Sequence, residues 1–424
     1  MRLYIGIDVG TSGCRAMAVT DTGEVYSLAS VSMPAPERDG QKVEQDPHLW
    51  WQASQEVLCQ LMRQIPVHSI RSIAIDGTSG TVLLADAQGL PVSPGIMYND
   101  NRSIKEAELI KQQAPTESAA HGTASGLAKL LWLQQQPYAA KARYALHQAD
   151  WIAAMLCGRW GVSDTNNCLK TGYDPQTQAW PQWLSAVGTP MDWLPEVIAP
   201  GTLIGTIKKE IAKELGLPLT VKLVAGTTDS TAAFIATGAN QPAEAVTSLG
   251  STLVLKIIAE TPVFAPEFGV YSQPLGDYWL VGGGSNTGGA VLRHYFTDEQ
   301  IAEMTPALEP DHCTGLDYYP LLTAGERFPV CDPHYPPRLE PKPEDDVKFL
   351  QGLLEGIASI EVTGYRLLEK LGAPYPVSVR SIGGGAKNQA WTRLRECFLQ
   401  VPVTTSKHQE AAYGAALLAR NGVI

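Results

Sequence analysis

The chain has 424 residues, with 43 acidic against 32 basic side chains and a net charge of −11. That balance argues against nucleic acid or an anionic membrane surface as a partner. The length is too great for one ordinary domain and comfortable for two, while seven cysteines without a C-x-x-C pair read as reduced thiols in a cytoplasm. The N-terminus enters a strand at once and no apolar run reaches spanning length, so neither a signal peptide nor a membrane span is expected.

Leu3, Ile5, Ile7 and Val9 alternate with the residues between them, which predicts a strand carrying Asp8 near its end and running into Gly10, Thr11, Ser12 and Gly13. A second strand with Met17 and Val19 follows, and Asp21-Thr22-Gly23 makes the next turn. Glycines let a ligand approach the backbone, and successive N–H groups with two hydroxyls surround phosphate oxygens. Asp8 stands where it could hold Mg²⁺ directly or through water. The plainer alternative is a tight hairpin whose Asp and Thr satisfy turn hydrogen bonds.

The segment SIRSIAIDGTSGTVLLADAQG reads as strand, Gly/Thr/Ser turn and second strand, with Asp76, Thr78 and Ser79 at the strand end. Strand ends of open α/β sheets border ligand crevices, although turn capping explains the same residues. Asn99, Asp100 and Arg102 then cluster in a loop beside an apolar strand. Residues 126–136 and 147–160 are expected to be helices whose Trp and Leu side chains pack in a core.

Residues 221–238, VKLVAGTTDSTAAFIATG, predict an apolar strand ending at Gly226-Thr227-Thr228-Asp229 and a helix opening after it. Asp229 is either a plain N-cap or the carboxylate that accepts a proton from an attacking hydroxyl in phosphoryl transfer. Residues 245–256 repeat the first pattern, strand, Gly250-Ser251-Thr252, strand, so two related phosphate loops lie in the two halves of the chain. VGGGSNTGGAVLRHY opens a helix from Gly288-Gly289, and SIGGGAKNQAW opens another from Gly383-Gly384-Gly385, with Asn388 free to contact a base. Neither fits G-x-G-x-x-G. There is no P-loop, no H-E-x-x-H and no G-x-S-x-G.

Together the motifs IGIDVGTSGCRA, GIMYNDNRS, DWIAAMLCG with Asn166 and Gly172-Tyr173-Asp174 after it, AGTTDS, SLGST, SIGGGAKNQAW and EAAYGAALLA resemble the FGGY carbohydrate kinases over nearly the whole length. The resemblance implies an α/β fold of two ribonuclease-H-like lobes of the actin/hexokinase type with a central cleft. The expected lobes are 1–228, bearing the sugar and the first phosphate loop, and 229–405, bearing the nucleotide, with 406–424 forming a terminal helix that packs back on the first. By the same resemblance Asp229 is the general base, and Asp8 with Thr11 and Ser12, flanked by Gly10 and Gly13, handles Mg²⁺ and the terminal phosphates of ATP. Gly250, Ser251 and Thr252 form the second phosphate loop, and Gly384, Gly385 and Asn388 touch the nucleoside. The sugar meets Asp8, Thr78, Ser79 and Asp229, supported by Asn99 and Asp100.

The acceptor turn reads DGTSGT where xylulose kinases carry Gly-Gln-Met-His and glycerol kinases Arg-Glu, so the compact chain is most similar to the cyanobacterial and plant D-ribulose kinases. The expected reaction is therefore ATP-dependent phosphorylation of D-ribulose at its 5-hydroxyl. A D-xylulose or polyol kinase of the same family is the alternative, and a non-catalytic sugar or nucleotide sensor on this scaffold is the competing class. An actin-like assembly ATPase is a third reading, for which the sugar-side turn has no use. The expected setting is cytoplasm, or plastid stroma in a plant, as a monomer or small homo-oligomer.

Overall fold

Alternation along the first strand becomes β1 (Leu3–Val9), which is buried on both faces rather than one. Leu3, Ile5, Ile7 and Val9 enter the main apolar core, whereas Gly6 and Asp8 point to the opposite face. In this computed structural model, which describes residues 1–422, the chain divides into two units. The first is Met1–Ala236 joined by the terminal segment from Glu410, and the second is Thr237–Gln409.

The first unit is built on β1, β2 (Gly13–Thr20), β3 (Val25–Ser32), β4 (Ile70–Gly77), β5 (Leu203–Thr206) and β6 (Lys222–Thr228). Their order across the sheet is β5-β6-β4-β1-β2-β3. β4 runs parallel to β1 and β6 parallel to β4, while the other pairs are antiparallel. Helices α1 (Pro47–Met62) and α3 (Gln148–Cys157) contribute Trp50, Leu58, Trp151 and Leu156 to the core beside Ile73 and Ile75. Between them in sequence lies α2 (Gly126–Leu133). The sheet's other face is covered by the terminal helix Ala411–Asn421, whose Ala415 and Leu418 pack on Ala74 and Val224. Ser72 Oγ donates to Ala419 O at 2.6 Å and Tyr413 Oη to Gly23 O at 2.7 Å, fixing that helix to strands far away in sequence. The helix α4 (Asp229–Ala236) closes the first unit. The unit therefore extends past residue 228, because α4 packs against the terminal helix.

The second unit repeats the plan with β7 (Glu244–Leu249), β8 (Leu253–Ala259), β9 (Tyr271–Leu275), β10 (Tyr278–Ser285), β11 (Ser378–Ile382) and β12 (Val403–Thr405). The order is β9-β10-β8-β7-β11-β12, with β11 parallel to β7 and β12 parallel to β11. Both sheets thus share an antiparallel hairpin joined to parallel strands on its other side, and the chain has the two ribonuclease-H-like α/β lobes its motifs imply. Its helices include α5 (Gly289–Tyr295), α6 (Asp346–Lys370) and α7 (Gln389–Leu399). Phe349, Leu353, Ile357 and Tyr365 of α6 pack on Leu255, Ile257 and Val379. Within this core Arg395 of α7 forms a fully buried ion pair with Glu361 of α6. Among the described residues no helix is long and apolar enough to cross a membrane.

The helices predicted at 126–136 and 147–160 are shorter than expected. The second ends at Cys157 because Gly158 takes a left-handed conformation that stops it. The helix expected from Gly383 starts later, at Gln389. Residues Gly384–Lys387 first make a 3₁₀ turn, and Asn388 supplies the cap.

Candidate functional site

Three carboxylates stand at the ends of three neighbouring parallel strands in the first unit. Asp8 on β1 lies directly opposite Asp76 on β4. Thr227 of β6 is registered with Asp76 on β4's other side, and Asp229 follows it as the first residue of α4. The junction works because Gly226 has no side chain: a Cβ there would lie 1.7 Å from Ile75 O. The sheet register shifts between Val224 and Thr227 at this point, which re-aims the strand end. Asn166 Nδ2 then donates to Thr227 Oγ1 at 3.0 Å, and Thr228 Oγ1 meets Thr231 Oγ1 at 3.0 Å. Asp229 is only partly buried, and its Oδ1 accepts the Ser230 N–H at 2.6 Å.

The environments of these carboxylates differ. Asp76 is fully buried, and neither of its oxygens meets a donor among the described residues. Burial first, then the charges of Asp8 and Asp229, hold its pKa well above the usual carboxylate range. That shift favours a protonated Asp76 facing Asp8 across the two strands. Asp8 is itself raised by burial, while Asp76 and Arg15 pull it back. The Arg15 contact is long, 3.4 Å, and comes from an exposed side chain.

The loop after β1 closes through Gly10 N–H to Gly13 O at 3.0 Å. Thr11 O accepts Gln45 Nε2 and Ser12 O accepts Met33 N–H, leaving Thr11 half-buried and Ser12 exposed. Among the described residues no cluster of three or more His, Cys, Asp and Glu side chains is arranged to hold a metal. A donor set centred on Asp8 fits Mg²⁺, which is commonly bound by one or two carboxylates together with water and substrate phosphates.

The turn after Asp76, expected to meet the acceptor, is clamped from within. Gln148 Oε1 accepts both the Thr78 N–H at 3.0 Å and the Thr78 hydroxyl at 2.9 Å, and Thr78 Oγ1 also meets Thr81 Oγ1 at 2.6 Å. Thr78 is buried, whereas Ser79 remains half-exposed. Asp100 is completely buried and accepts the Val43 N–H at 2.6 Å and the Arg102 guanidinium at 2.6 Å and 3.0 Å. Its oxygens thus hold the loop. Asn99 Oδ1, by contrast, is buried without a partner among the described residues. Gln148 was not singled out by local pattern, because the residue it clamps lies 70 positions away.

In the second unit the carbonyls of Gly250 and Ser251 accept the N–H groups of Gly289 and Ala290 at 2.8 Å and 3.1 Å, and Arg293 Nη2 donates to Ser251 Oγ at 2.9 Å. The loop carrying Thr252 is thereby tied to the start of α5. Beside it a cavity of about 610 Å³ is lined by Leu249, Leu292, Ile301, Thr305, Trp391 and the backbone of Gly384 and Gly385. Its size and apolar walls suit a nucleoside. Asn388 lines it too, but its side chain is engaged: Oδ1 caps α7 by accepting Trp391 N–H at 2.9 Å, and Nδ2 donates to Thr305 Oγ1 at 3.0 Å. Ile301 and Thr305, which share this cavity, carry no motif that marked them in the sequence.

Residues 3–236 match the N-terminal domain of the FGGY family of carbohydrate kinases, and residues 245–421 match its C-terminal domain. The chain is similar to the xylulose kinase of Escherichia coli strain K12, 26% identical over 99% of this chain and 90% of that relative. It is also similar to the gluconokinase of Bacillus subtilis strain 168, 23% identical over 98% of this chain and 86% of the other. Among solved structures, a ligand-bound xylulose kinase from Lactobacillus acidophilus superposes with a TM-score of 0.86 at 22% identity, covering 99% of this chain and 89% of that one. With both domains matched along almost its entire length, the chain belongs to the FGGY family of carbohydrate kinases and is an ATP-dependent phosphotransferase.

Proposed function

We propose that the chain phosphorylates a pentulose at its 5-hydroxyl. The observation that carries this reading is the row of Asp8, Asp76 and Asp229 at adjacent strand ends, with half-exposed Ser79 on the turn that follows Asp76. Asp229 accepts the proton of the acceptor hydroxyl as that oxygen bonds to the γ-phosphorus, and the γ-phosphate's bond to the ADP oxygen breaks. Asp8, steadied by the proton on Asp76, would hold Mg²⁺ with Thr11 and Ser12 beside it; when bound, that ion offsets the charge building on the transferred phosphoryl group. N–H groups of the loop beyond Gly10, whose own N–H is held by Gly13 O, and of Gly250, Ser251 and Thr252 are suited to phosphate oxygens. The nucleoside takes the apolar cavity of the second unit, resting on Gly384 and Gly385. Asn388 shapes that wall as a helix cap.

D-Xylulose is the acceptor favoured by the names of similar proteins, several of which are xylulose kinases at 24–28% identity. D-Ribulose, the expectation from the sequence, is supported by the composition of the DGTSGT turn alone. With Thr78 occupied by Gln148, that turn offers a sugar the Ser79 hydroxyl and backbone groups. ADP release should be followed with D-xylulose, D-ribulose, D-gluconate and glycerol as acceptors. A pentulose should exceed gluconate and glycerol in kcat/KM by roughly tenfold to a hundredfold, the effect of one or two hydrogen bonds. Preference for gluconate or glycerol would overturn the reading, and the order of the two pentuloses decides between the epimers.

A further inference from the structure

We propose that Lys129 positions the acceptor turn, and that α2 braces both acceptor loops through Lys129 and Trp132. The inference rests on the pentulose-kinase reading for the meaning of those loops. Lys129 lies on α2 with its side chain wholly buried, and its Nζ donates to Gly80 O at 2.8 Å. No carboxylate forms an ion pair with it among the described residues. A buried ammonium without a paired anion is costly, and an apolar side chain of similar size would fill the same space more cheaply. Burial, opposed by Asp100 and reinforced by Lys170 and Arg102, brings its pKa down to about 7. What the lysine supplies in return is a donor to the turn's last carbonyl.

That carbonyl matters because of the turn's geometry. Thr81 N–H reaches back to Thr78 O at 3.3 Å, and Gly80 sits at a φ of +82°, a left-handed conformation open mainly to glycine. Gln148 holds the front of the turn through Thr78 and Lys129 holds its back through Gly80. Ser79, the half-exposed residue, lies between the two clamps.

The same helix reaches the second loop. Trp132, one turn beyond Lys129, lies under the Arg102 guanidinium at 4.7 Å from the ring centroid, and Arg102 grips Asp100. Both contacts leave α2 from neighbouring positions on one side. The helix is itself anchored at its start, where Ser125 Oγ accepts the Ala128 N–H at 3.1 Å and Leu127 N–H meets Lys170 O at 3.0 Å. A shift of α2 would therefore move both loops together.

The test is steady-state kinetics of the full chain with Lys129→Met, Lys129→Gln and Trp132→Leu, measured on whichever acceptor the wild type uses best. Lys129→Met should raise the acceptor KM roughly tenfold to a hundredfold with the ATP KM within about twofold. Lys129→Gln, whose amide can still donate toward Gly80 O, should recover part of the loss, and Trp132→Leu should raise the acceptor KM severalfold. An acceptor KM unchanged in Lys129→Met, or rising in parallel with that of ATP, would overturn the proposal. If Lys129→Met fails to fold in a melting experiment, unchanged acceptor KM values in the other two variants overturn it equally. A wild type that prefers gluconate or glycerol defeats the pentulose reading alone, since the KM comparison is then made on that acceptor.

Discussion

In the first unit Asp8 of β1 faces Asp76 of β4, whereas at the corresponding places of the second unit Ser248 of β7 faces Ile382 of β11. Both hairpins place a glycine two residues later, Gly10 and Gly250. After Ile382 the second sheet continues into Gly383, Gly384 and Gly385, where the first has Gly77, Thr78 and Ser79 after Asp76. One sheet plan thus carries two chemistries. Proton transfer needs carboxylates whose environments differ, and the first unit supplies a fully buried one with a strongly raised pKa beside a second buried one and a partly exposed one. A nucleoside with its phosphates is better served by apolar walls and backbone N–H groups, since carboxylates there would repel the phosphate charge. The second unit holds a fully buried carboxylate, Glu361, deep in the core and paired with Arg395.

The sharpest way to break this contrast is to remove the proposed base. Asp229→Ala should lower kcat by roughly 10²–10⁴ with ATP binding retained, and wild-type turnover would remove Asp229 from the mechanism. The next test stays in the first hairpin. Asp8→Ala should cost at least about a hundredfold in kcat at saturating Mg²⁺, and Thr11→Ala no more than about tenfold, because the loop's backbone donors survive. A reversed order would mean that the hairpin works through its hydroxyl rather than its carboxylate.

A pH experiment sharpens the comparison at the level of stability. The Lys129 pKa is lowered from 10.5 to about 7, so between those values the unfolded chain binds the extra proton and stability rises with pH. The rise should be at most a few kcal/mol in urea midpoints between pH 7 and 10, and Lys129→Met should lack it. If wild type and variant show the same slope, Lys129 keeps its proton in the fold up to pH 10. The smallest effect is expected in the second unit. Asn388→Ala removes the cap of α7, worth about 1 kcal/mol, and should leave the ATP KM within about threefold. A rise beyond tenfold would restore the direct base contact expected from sequence.

The glycine-bearing turns were legible because their signal is local: Gly10, Gly13 and Gly250 sit between runs whose period of two announces strands. Asp229 was legible for the same reason, an apolar strand breaking into a helix start. Asp76 was visible as a strand-end residue, but nothing nearby revealed that it faces Asp8, because the two lie in strands joined by a long crossover. Asn388 shows the opposite case. Its position beside a glycine cluster suggested a free amide, and only the fold reveals that Trp391 and Thr305 occupy it.

The sequence by itself carried the motifs whose resemblance implies the two-lobed α/β class, and it marked both candidate phosphate loops and the candidate base, since strand period, turn residues and helix starts are encoded within a few positions of one another. The tertiary structure decided which carboxylate is fully buried, which amide is already bonded, and that a lysine read as part of a core helix donates to the Gly80 carbonyl. Burial and hydrogen bonding are set by residues tens of positions apart, Lys129 with Gly80 and Gln148 with Thr78 among them, and no local pattern carries that distance.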